Sequence, residues 1–75
     1  NILYSIKEAG NVRLEIYNLR GQLVKTLVNE VQETGEYTTS WNGTDNSNKP
    51  VSSGVYLYKM KSANYTATKK MILMK

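Results

Sequence analysis

The stretch of this chain densest in side-chain oxygens is Asn42-Gly43-Thr44-Asp45-Asn46-Ser47-Asn48, and the chemistry such a run suggests is calcium coordination. Calcium takes about six to eight oxygens, several of them usually from carboxylates. Asp45 is the sole acid here, so Asn42, Asn46, Asn48 and backbone carbonyls would have to complete its shell, and the site would be weak. Turn chemistry explains the same residues: Asn and Asp side chains accept backbone hydrogen bonds and tolerate left-handed φ, as a tight loop demands. Catalysis has less material still. The sequence has no Cys and no His, which removes the thiolate, the commonest general base and the commonest metal ligand. Glu30, Glu33 and Glu36 gather around a polar turn without a pocket-forming helix or a glycine-rich phosphate loop beside them. The expectation is a non-enzymatic chain that uses no cofactor.

Two further groups of residues carry possible recognition chemistry. Trp41, the single Trp, and Tyr37, Tyr56 and Tyr58 have ring faces of the kind that stack on sugars. Their alternate spacing instead predicts that they point inward as core anchors, leaving Tyr17 and Tyr65 as the aromatics available to solvent. Near the end, Lys69-Lys70 precede the apolar run Met71-Ile72-Leu73-Met74 and Lys75. A basic pair ahead of an apolar strand offers a partner a recognisable segment, carried by Lys69, Lys70, Met71, Leu73 and Lys75. It equally describes an ordinary last strand kept soluble by lysines, and both readings can hold together.

Charge is distributed unevenly. Residues 1–45 hold all six acids against four bases, net −2, whereas residues 46–75 hold six Lys and no acid, net +6. A basic half can attract nucleic acid or an anionic surface. These lysines, however, are spread over a loop and two strands, and Arg, the residue suited to bidentate phosphate and guanine contacts, is absent from that half. No nucleic-acid partner is expected, and the lysines read as protection for strand edges. The longest aliphatic run falls far short of the ~20 residues a spanning helix needs, so the chain is not expected to span a membrane. Asn1-Ile2-Leu3-Tyr4 does not open a signal peptide; it reads as the inside of a strand, as in a domain (residues 1–75) excised from a longer protein.

The elements that must position these residues repeat with period two. Ile2, Tyr4 and Ile6 alternate with Leu3, Ser5 and Lys7, and Val12, Leu14 and Ile16 alternate most cleanly, with Asn11, Arg13 and Glu15. Glu8-Ala9-Gly10-Asn11 reads as a turn, with Gly10 able to take a positive φ at no steric cost. Asn18-Leu19-Arg20-Gly21 closes a hairpin into a strand over residues 23–28. A polar segment from Asn29 to Gly35 leads to a fourth strand, residues 37–41, ending on Trp41. A fifth strand follows Gly54, with Tyr56, Tyr58 and Met60 inward and the Tyr56 hydroxyl bonded back to nearby backbone as in a tyrosine corner. Ser62-Ala63-Asn64 turns the chain into a last strand, residues 65–74, where Met71 and Leu73 compete with Ile72 and Met74 for the core and a bulge can change the phase. Six to seven short strands with turns at this spacing predict an all-β fold, an antiparallel immunoglobulin- or fibronectin-III-like sandwich.

Several segments resemble one family in order and spacing: Glu8-Ala9-Gly10-Asn11-Val12, Ile16-Tyr17-Asn18, Gly21-Gln22, Trp41-Asn42-Gly43-Thr44-Asp45, Val51 to Tyr58, and Thr68 to Lys75. Together they resemble the type A C-terminal sorting domain of the type IX secretion system, which overlaps the Ig-like domain of flagellar hook-capping proteins. Asn42 stands where that family often has Asp, and the Pro-containing segment that usually precedes its first strand is missing. The resemblance implies a non-catalytic module at the end of a protein that is secreted or displayed on the surface of a Gram-negative bacterium. Its implied partners are the secretion machinery of the outer membrane and an N-terminal passenger domain. The alternative is a structural Ig-like spacer or interaction module of a multidomain hydrolase or a hook-cap-like assembly, with carbohydrate binding as a third reading.

Overall fold

Alternation of apolar and polar side chains along short segments gives each strand one face to bury, and in a computed structural model of the protein six such strands close on one another. Residues 2–62 and 65–74 are described; the expected turn at Ala63 and Asn64 and the terminal Lys75 lie outside them. The strands are β1 (Ile2–Ile6), β2 (Gly10–Tyr17), β3 (Leu23–Gln32), β4 (Gly35–Thr39), β5 (Gly54–Ser62) and β6 (Tyr65–Leu73). They form two antiparallel sheets, one of order β1-β4 and one of order β3-β2-β5-β6. The fold is therefore an all-β antiparallel sandwich of the Ig-like kind.

The core lies where the small sheet covers the middle of the large one. Val12, Leu14 and Ile16 from β2 are 0% exposed, and Ile2, Tyr4 and Ile6 from β1 close over them. Val28, Tyr56 and Met60 complete the buried set. The β2–β3 hairpin is held by Asn18, whose Oδ1 accepts the Arg20 and Gln22 amides at 2.9 and 3.0 Å, while Gly21 supplies the positive φ of 82° that the turn requires.

Four boundaries and phases differ from the sequence expectations. β3 does not stop at Val28: Asn29 to Gln32 continue it because the opening residues of β2, from Gly10 to Arg13, need ladder partners. Gly10 is not at positive φ; it opens β2 opposite Gln32, and the turn falls on the residues before it. β4 ends at Thr39, so Trp41 packs on the core from the following loop rather than from a strand. The irregular strand is β3, not the last one. Leu14 faces Val28 while Glu15 faces Thr26, and Ile16 faces Lys25 while Tyr17 faces Leu23, which leaves Leu27 and Val24 as extra residues. Those bulges let Val24, Leu27 and Val28 all reach the core, which strict alternation forbids. The β5–β6 ladder runs unbroken from Gly54↔Leu73 to Ser62↔Tyr65.

Truncation should separate the two kinds of apolar residue. Leu14→Ala, at the centre of the sandwich, is expected to lower unfolding free energy by about 2–5 kcal/mol in urea. Ile72→Thr, on the outer face of β6, should stay within about 0.5 kcal/mol of the parent. Comparable losses for the two would contradict this placement of the core.

Candidate functional site

The recognition segment predicted near the end of the chain is split among three environments. Lys69 pairs with Tyr58 and lies on the inner face of β6, where it lines a groove between the sheets. Lys70 pairs with Leu57 and is exposed on the outer face. Met71 and Leu73 pack against the core and offer little to a partner. Lys75 lies outside the described residues. Because Met71 and Leu73 face inward, Ile72 and Met74 face outward, 68% and 84% exposed. The surface this strand presents is thus Lys70, Ile72 and Met74, beside half-buried Val55 and Leu57 of β5. Sequence reasoning missed Ile72 and Met74 because both phases of the run are apolar; alternation located them once one inward residue was known.

In the oxygen-rich loop, each of the four candidate calcium ligands engages its Oδ1 with the protein itself. Asp45 Oδ1 accepts the Ser47 and Lys49 amides at 2.9 and 3.0 Å. Asn46 Oδ1 accepts the Thr26 amide at 3.0 Å, and the Asn46 amide donates to the Val24 carbonyl at 3.0 Å, which fastens the loop to the edge of β3. Asn42 Oδ1 accepts the Thr44 hydroxyl at 2.6 Å. Asn48, at φ 62°, receives the Lys25 ammonium on Oδ1 at 3.3 Å, and the same ammonium lies 3.2 Å from the Asp45 carbonyl. A fixed cation therefore stands among these oxygens. Among the described residues no three His, Cys, Asp or Glu side chains group as metal ligands.

The aromatic residues clamp loops to the core. Trp41 meets Tyr56 edge to face with ring centroids 5.0 Å apart, and its indole N–H donates to the Thr44 carbonyl at 2.8 Å. The Tyr56 hydroxyl donates to the Ser52 carbonyl at 2.7 Å, the back-bond of a tyrosine corner. Tyr37 repeats the device: its ring stacks on Tyr4 at 5.5 Å and its hydroxyl donates to the Glu33 carbonyl at 2.7 Å. Tyr58 is half-buried against the same core. Tyr65, 54% exposed, sits with Ser62 on the inner face, whereas Tyr17 pairs with Leu57 on the outer face and donates to Glu15 Oε1 at 2.8 Å. Rings on opposite faces make no common platform for a sugar.

The Lys49 amide on its carboxylate holds the Asp45 pKa below the ordinary range. Desolvation is the next largest influence and opposes it, while the Ser47 amide and the charges of Lys49 and Lys25 add to the lowering. A carboxylate with a depressed folded pKa stabilises the loop fully above its ordinary value of about 3.9, and that contribution is lost as pH falls through the depressed value. The Ser47 and Lys49 amide resonances should therefore move only in acid below about pH 4, and Asp45→Ala should abolish the transition. Unchanged amide shifts between neutral and strongly acidic solution would refute this role for Asp45. With its oxygens so engaged, the loop should also leave the melting temperature unmoved in millimolar calcium.

Among the described residues no helix is long and apolar enough to cross a membrane. Comparison with curated proteins and with solved structures returned no match. A family model, the FlgD Ig-like domain, matches residues 4–66, from within β1 to the first two residues of β6. That span includes β1 from Tyr4 onward, the whole β2–β3 hairpin, β4, the clamped loop and β5, and it ends before Lys69. The chain belongs to the FlgD Ig-like domain family.

Proposed function

We propose that this Ig-like domain is a non-catalytic sorting and anchoring module, which directs an attached N-terminal passenger through type IX secretion to the surface of a Gram-negative bacterium or beyond it. The observation that carries this reading is the outer side of β6. It is an edge strand, and its exposed Lys70, Ile72 and Met74 offer one cation and two apolar side chains that the core does not use. A receptor in the outer-membrane machinery would gain both a charge contact and apolar burial from it. The lack of His and Cys, and the engagement of Asp45 by backbone amides, support a non-catalytic role. The likeness of Thr68 to Lys75 to a sorting signature supports the export route, and this segment lies beyond the residues matched by the family model.

A second reading has its own support. The family match favours a structural Ig-like domain acting as a spacer or as a subunit contact in a hook-cap-like assembly. The two readings part in a secretion-competent cell carrying a reporter fused ahead of this domain. Lys70→Glu combined with Ile72→Asp changes exposed residues only, so the purified variant should unfold at the parent's midpoint. The sorting role predicts that exported reporter falls about tenfold or more, the effect of losing roughly 1.4 kcal/mol of contact. Export at the parent's level would leave the spacer reading standing and end the sorting one.

A further inference from the structure

Among the described residues β1 pairs on one side only, with β4. Its five residues, Ile2–Ile6, include no charge, Pro or Gly, the devices that ordinarily blunt an exposed edge. β3 is managed differently, since Asn46 bonds to its edge. A groove of about 550 Å³ touches Leu3, Tyr4 and Ser5 in succession. Leu3 and Ser5 point away from the core and Tyr4 points into it, so a groove meeting all three runs along the edge of the strand. The other edge is taken by β4, and the groove therefore follows the unpaired one. Its far wall is the inner face of β5 and β6: Met60 at the buried margin of the core, half-buried Tyr58 and Ala67, and exposed Tyr65 and Lys69, beyond the reach of the two-stranded sheet.

We propose that this groove binds a single extended polypeptide segment, which adds to the free edge of β1 as a third strand of the small sheet. The main-chain groups of β1 supply the ladder, and side chains at alternate positions of the guest turn down onto Met60, Tyr65 and Ala67, so those positions are apolar. One of them, opposite Lys69, is a carboxylate: Lys7 and Lys69 against Glu8 give the lining a net positive charge. A second copy of this chain does not fit. Strands lie about 4.8 Å apart within a sheet and sheets about 10 Å apart, so a copy offering its own β1 edge would need its four-stranded sheet in the layer that β6 already occupies. The occupant is a bare strand, and this assignment is independent of the export role of the outer face.

The test titrates isotope-labelled domain with an end-blocked peptide of about seven residues, Val alternating with Thr and one Val replaced by Glu, long enough to span the ~17 Å of β1. Saturable amide shifts are expected in β1 and on Ala67 and Lys69, with little change in β3. Lys69→Glu, with its fold checked by circular dichroism, should weaken the Glu-containing peptide about tenfold and spare one with Gln in its place. Pro at both of two adjacent central positions of the peptide should abolish binding, because one of the two amides must donate to β1. The proposal is overturned by an absence of saturable shifts at millimolar peptide, by shifts confined to the outer face, or by a concentration-dependent dimer through β1 in the absence of peptide.

Discussion

Two strands cover four in this sandwich, and most of its other features follow from that disproportion. A strand is ~4.8 Å wide within its sheet, so β1 and β4 shield only about half of the apolar face that β3, β2, β5 and β6 present. The strand beneath the centre of the cover, β2, supplies the three side chains wholly removed from water, Val12, Leu14 and Ile16. Away from that centre burial declines, through Tyr56 and Met60 of β5 to the exposed Tyr65 on β6. A domain this small has little core to spare, and its stability must be concentrated in the covered strip.

The loops make up part of the deficit. Trp41 leans its edge on Tyr56, and each of these two rings also hydrogen-bonds to a backbone carbonyl of the connection between β4 and β5. That long connection is consequently a folded element: Asp45 organises its turn, a bridge joins Thr44 and Pro50, and Asn46 docks it on β3. The polarity that makes the segment resemble a cation site is the polarity needed to satisfy its own backbone in a tight path. Tyr37 does the equivalent work between β3 and β4, with a stack on Tyr4 and a bond to the Glu33 carbonyl.

Belonging to the FlgD Ig-like family accounts for this scaffold. Its two distinctive surfaces lie at the same end of the large sheet. The outer side of β6 exposes Lys70, Ile72 and Met74, while its inner side borders the groove beneath β1. Both sit where the small sheet ends, because a strand without cover keeps apolar and basic side chains that a covered strand would bury or exclude.

The sequence alone determined the fold class and the inward face of β2, because a period-two pattern leaves one choice of buried face when the other is polar, as in Val12-Arg13-Leu14-Glu15-Ile16. In β5 both faces are apolar, and the inward set was chosen for its aromatic side chains, Tyr56 and Tyr58, with Val55 and Leu57 left on the other side. It also foretold the back-bond of Tyr56, since a Tyr at the start of that strand has few other backbone partners in reach. The candidate site was legible only as a segment. Met71 to Met74 is apolar in both phases, so the choice of Met71 and Leu73 for the core, and the resulting exposure of Ile72 and Met74, rests on the register with β5. The same holds for the bulges at Val24 and Leu27, the extension of β3 through Gln32 and the exit of Trp41 from β4. Each depends on which distant strand supplies the ladder and how far the opposite sheet reaches. Those are long-range pairings that no local periodicity encodes, so tertiary structure alone decided them.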